Sequence, residues 1–97
     1  MTKLHLKSAA TRAKDNNLGT VESYNTDVNL NVTYNIVAGG TETIAAAPTD
    51  RLMIITQGFA NTKEKNREIR DGSIIEIKAG EEFAYQGQLK YFLVEAK

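Results

Sequence analysis

The stretch that most restricts this chain is residues 71–83, DGSIIEIKAGEEF. It opens on Asp71-Gly72, a strong tight-turn pair, and runs through Ile74, Ile75 and Ile77. It then turns again at Lys78-Ala79-Gly80 before extended structure resumes at Glu82. β-Branched side chains are crowded on a helix and fit a pleated surface. Strand, tight turn, strand is what such a stretch forms, and the remaining residues must supply its partners.

The upstream sequence supplies them. Val28, Leu30, Val32, Tyr34 and Ile36 alternate with Asn29, Asn31, Thr33 and Asn35, which predicts an antiparallel strand with one face on a core. Residues 20–24 are its expected hairpin partner across Asn25-Thr26-Asp27. Gly39-Gly40 breaks the strand, residues 41–45 resume it, and residues 46–50 form a loop around Pro48, which cannot donate to a central ladder. Residues 52–56 are the next strand, ending at Gln57-Gly58. Residues 61–66 make an exposed hairpin tip, residues 68–70 pair back, and residues 89–94 form the last strand after a turn at Gln86-Gly87-Gln88. About eight short strands with turn signals every 8–12 residues predict an all-β sandwich or barrel.

With 97 residues there is room for one core. Twelve basic and twelve acidic side chains cancel, giving no charge argument for nucleic acid or membrane as a partner. There is no cysteine, so no disulfide or thiolate site is possible. No stretch matches a signal peptide or a transmembrane helix, and the expected setting is cytoplasmic, or a virion if the source is viral. Residues 1–19 read as an extended basic arm carrying Lys3, Lys7, Arg12 and Lys14, with Leu4-His5-Leu6 as a short edge strand. Residues 20–97 read as the folded domain.

The turn spacing resembles the cupin superfamily. Gly39, Ala45, Ala47, Arg51 and Gly58 fall on the first cupin motif, G-x5-H-x-H-x3-E-x6-G. Gly72, Lys78, Gly80, Phe83 and Gly87 fall on the second, G-x5-P-x-G-x2-H-x3-N. The resemblance covers roughly residues 36–94 and implies a small jelly-roll barrel. It places Ala45, Ala47, Arg51 and Phe83 where cupins hold a metal, and none of these side chains offers a suitable lone pair, so no metal and no cofactor are expected. Residues 47–50, 54–58, 72–73 and 82–83 also look like segments of the small cupin-fold pyrimidine/purine nucleoside phosphorylases.

The resemblance further implies orientation. If Arg51 and Phe83 point inward, alternation puts Met53, Ile55 and Tyr85 inside and Leu52 and Ile54 outside. Phe92 and Val94 likewise give the last strand a second apolar face. Strands apolar on both sides need cover on both sides, which implies a homo-oligomer, a dimer or trimer, through Leu52, Ile54, Phe92 and Val94. The alternative is that the arm folds over this face within one chain.

Few side chains carry chemistry. His5 is the only histidine and reads as solvated. Arg51 is a candidate anion-binding residue, or a salt-bridge partner of Asp50, Glu42 or Glu76. Tyr34, Phe83 and Tyr85 are expected to pack as an aromatic group inside the barrel. No catalytic residue emerges. The leading expectation is a non-enzymatic assembly module that oligomerises and docks on a larger assembly through its arm, with a viral or phage structural or decoration protein suiting the Asn/Thr-rich composition. The alternative is a metal-independent nucleoside phosphorylase with phosphate near Arg51.

Overall fold

The computed structural model describes residues 2–5, 11–14 and 18–97, with only the backbone of Thr11 and Arg12. Its elements are β1 (Thr11–Ala13), β2 (Gly19–Tyr24), β3 (Leu30–Val37), β4 (Thr41–Ile44), β5 (Arg51–Thr62), β6 (Glu68–Arg70), β7 (Ile74–Ile77) and β8 (Phe83–Ala96). All pairings are antiparallel, in the order β1-β2-β3-β8-β5-β6, with β4 on β8 and β7 on β5. The expected all-β jelly-roll architecture is what forms. Among the described residues no helix is long and apolar enough to cross a membrane.

Two long strands form the spine. The first half of β8 pairs with β4 and its second half with β3. The first half of β5 pairs with β7 and its second half with β6, while β5 and β8 pair along their whole length. Each long strand therefore belongs to two sheets and must bend where it passes between them. The bend lies at a bulge, where Ile55 pairs with Tyr91 and Gln57 with Lys90, leaving Thr56 as the extra residue.

The bend corrects two expected strand ends. Gly58 does not terminate its strand, and Gly87 is not a turn; both lie within continuous strands. Their φ angles are 137° and 136°, and a Cβ on Gly58 or Gly87 would stand 2.2 or 2.5 Å from the carbonyl oxygen of Gln88 or Phe59. Glycine is needed there because two backbones approach closely, a role that a turn-residue reading does not distinguish from a turn. The Leu4-His5-Leu6 strand does not form at Leu4 and His5, and Leu6 lies outside the described residues. Among the described residues of that segment the strand is β1. Val28 also stands outside its expected strand, exposed in the β2–β3 loop.

Register sorts the side chains onto two faces. Tyr85, Tyr91, Met53, Ile55, Leu89 and Val37 are fully buried between the sheets. Val37, Asn35 and Tyr91 face inward from β3 and β8. Leu52 and Ile54 fall on the opposite face of β5 and are only partly buried.

Candidate functional site

Of the four residues on the expected cupin ligand spacing, Arg51 and Ala45 come together. Arg51 is buried, and its guanidinium donates from Nη1 to the Ala45 carbonyl at 2.6 Å and from Nη2 to the Glu81 carbonyl at 2.8 Å. It thereby ties the end of β4 to the turn before β8. Its Nε is buried without a hydrogen-bond partner among the described residues. Phe83 is half-buried, its ring 6.2 Å from that of Tyr85. Two methyl groups, an arginine bonded to carbonyls and a phenyl ring do not fit a metal ion. Among the described residues no three His, Cys, Asp or Glu side chains come together to hold one.

The expected salt bridge of Arg51 with Asp50, Glu42 or Glu76 is not among the ion pairs of the described residues. Asp50 accepts from the Ala79 backbone N–H at 2.8 Å, and Glu42 is engaged elsewhere. Glu42 stands in β4 one inward step from Ile44 and opposite Tyr85, so strand alternation sends its carboxylate into the barrel. Its Oε1 accepts the hydroxyls of Tyr85 at 2.6 Å and Tyr91 at 2.7 Å, and its Oε2 lies 3.1 Å from the Lys14 ammonium. The ammonium also donates to Asn35 Oδ1, lies 3.4 Å from the Tyr91 hydroxyl and sits 5.6 Å from the centre of its ring.

The electrostatics follow from this packing. Burial alone would raise the Glu42 carboxyl, but the two tyrosine hydroxyls and the Lys14 ammonium outweigh it and hold the group below the usual carboxylate range. Burial, then the bond to Glu42, pushes the Tyr85 hydroxyl far up; burial and the Glu42 charge do the same to Tyr91. The result is an ionised carboxylate with neutral tyrosines, beside a cleft of about 370 Å³ lined in part by Lys14, Asn35, Glu42, Tyr91 and Glu95. The sequence reading missed this group as a site, although Glu42 lies in phase with the inward Ile44.

The outer face carries two apolar rows of four strands each, the first flanked on β2 by Glu22 beside Tyr34 and the second on β7 by Glu76 beside Leu52. Tyr34, Phe92, Ile54 and Ile74 stand side by side in register over β3, β8, β5 and β7, and Tyr24, Val32, Val94 and Leu52 form a second row. Tyr34 therefore belongs to this face, its ring 4.9 Å from Phe92, and not to the interior group with Phe83 and Tyr85. Ile74 is 62% and Leu30 44% exposed.

Among the described residues, the arm side chains Lys3 and Lys14 are engaged at separate places. Lys3 pairs with Asp27 at the surface, and His5 lines a shallow cleft with Tyr24, Val32 and Phe92, so residues 2–5 reach one margin of the apolar face. Lys7 lies outside the described residues, and Arg12 contributes its backbone to β1. Lys14 is turned inward, as described.

No family model matches the sequence, and no curated protein sequence does. Solved structures do. A protein of unknown function from Vibrio parahaemolyticus superposes with a TM-score of 0.72 at 15% identity, over 91% of this chain and 97% of that one. A cupin-2 domain protein from Shewanella frigidimarina gives 0.65 at 17%, over 79% of each chain. The Cnp3 cupin domain of Schizosaccharomyces pombe gives 0.68 at 9%, over 81% of this chain and 61% of that one. The fold is cupin-like.

Proposed function

We propose that this chain is a metal-free assembly module, a cupin-like barrel that associates with further copies of itself through the outer face of its sheet and takes its place in a larger protein assembly. The observation that carries this reading is the pair of in-register apolar rows, the first of which ends in the exposed Ile74. Contiguous apolar surface of this kind marks an interaction site on a protein surface. A second copy supports it best, because a two-fold axis sets the same flat face against itself and aligned sheets pack at about 10 Å.

Leu52, Ile54, Phe92 and Val94 lie at the middle of the face. Completing their burial at about 1.5–3 kcal/mol for each fully transferred side chain offsets several kcal/mol of association cost. A coat or decoration protein of a viral or phage particle is the kind of assembly that suits such a module. The test is the solution mass of the wild-type chain against the Leu52→Asp/Ile54→Asp variant. Oligomer for the first and monomer for the second support the reading.

The alternative, a metal-independent nucleoside phosphorylase with phosphate at Arg51, meets a guanidinium whose end nitrogens already serve two carbonyls. Incubation with phosphate and a panel of nucleosides is expected to release no free base. Release abolished by Arg51→Ala would reverse the preference.

A further inference from the structure

We propose that the cleft beside Glu42 is a binding site for a primary alkylammonium group, and that Lys14 is its built-in occupant. An ammonium carries three donors and no acceptor. Here it meets three acceptors, Glu42 Oε2 at 3.1 Å, Asn35 Oδ1 and the Tyr91 hydroxyl at 3.4 Å. A quaternary ammonium has no N–H to give these oxygens, and a planar guanidinium presents its donors in a fork. The seat is shaped for a primary amine.

Its anionic half is complete without the lysine. Glu42 is fixed by the hydroxyls of Tyr85 and Tyr91, so strands β4 and β8 of the barrel hold the carboxylate in place. The cationic half arrives from outside, at the end of the three-residue edge strand β1, which pairs with β2. A lysine at the end of a three-residue edge strand thus fills a buried polar seat.

The cleft extends beyond the ammonium. Its volume is about 370 Å³, with Val21, Ile44 and Leu93 as apolar wall, the hydroxyls of Thr33 and Thr43, and a second carboxylate at Glu95. Arg51 neighbours Glu95 in register, but its end nitrogens are bonded to carbonyls. A small primary amine with a short alkyl stem matches these walls, and it competes with Lys14 for Glu42. This site is independent of the self-association proposed above.

The experiment is an NMR titration of the isotope-labelled full chain with n-butylammonium chloride, with n-butanol and tetramethylammonium chloride as controls. The wild-type chain is expected to show saturable shifts at Tyr91 and at the Lys14 side chain with n-butylammonium alone. Lys14→Ala is expected to bind it at least about tenfold more tightly, because a tethered competitor has been removed. Lys14→Ala/Glu42→Gln is expected to lose binding. No saturable shift in the wild-type chain, equal shifts with n-butanol, or no gain in a folded Lys14→Ala would overturn the proposal. If Lys14→Ala does not fold, the wild-type titration decides alone.

Discussion

Lys14 and Glu42 lie 28 positions apart in the chain, the first just past the edge strand β1 and the second in β4, yet their charged atoms meet at 3.1 Å. Both side chains are largely withdrawn from solvent, 14% and 3% exposed. A pair of this kind is costly to break from one side, since the remaining charge stays buried. Glu42→Ala is expected to destabilise the fold by about 3–5 kcal/mol, a large part of a small domain's stability. Tyr85→Phe and Tyr91→Phe, each removing one bond to a charged acceptor, are expected to cost about 1.5–3 kcal/mol. Urea unfolding of the three variants measures this; a Glu42→Ala loss below that of either tyrosine variant would mean the carboxylate is not held as described.

The same group sets a pH dependence. The Glu42 carboxyl is depressed in the folded state, so its contribution is present above the ordinary value of about 4.3 and is lost as pH falls through the lower folded value. The tyrosines are raised, so their contribution is present below about 10 and is lost as pH rises above it. Unfolding free energy followed across pH is expected to fall at both ends. Glu42→Gln is expected to shallow the acid limb, and an unchanged acid limb in that variant would place the depressed group elsewhere.

The strand bend offers a third test. Gly58→Ala and Gly87→Ala each add a Cβ within 2.2 or 2.5 Å of a carbonyl oxygen at a left-handed φ, whereas a Cβ on Gly72 meets nothing within 4 Å despite its φ of 82°. Both spine variants are expected to lose more stability than Gly72→Ala, whose cost is the conformational strain of about 1–3 kcal/mol. Thermal melts compare the three directly, and equal losses would show that the close approach is relaxed cheaply.

These residues also show what the sequence could reveal. The β2–β3 hairpin, the loop around Pro48, the tip expected at 61–66 and formed at 63–66, and the 71–83 strand-turn-strand were legible because each is a local pattern of alternation and turn residues. The inward Met53, Ile55 and Tyr85 followed from strand phase once the cupin spacing fixed it. Gly58 and Gly87 were misread because glycine signals a turn and a close backbone approach alike. Glu42 was readable in principle, in phase with Ile44, but its partner was not. Lys14 reaches it from an arm whose only sequence character is scattered basic charge, and no local period encodes a contact between two sheets. Tyr34 fell on the outer face because its row pairs with Phe92 and Ile54, a register that alternation within one strand does not fix.

That the outer face is an interface is tested most directly by light scattering coupled to size exclusion. The wild-type chain is expected to elute at a whole-number multiple of the single-chain mass, and Leu52→Asp/Ile54→Asp at the single-chain mass with the fold intact by circular dichroism. A wild-type chain that remains monomeric at the highest concentration reached would contradict it.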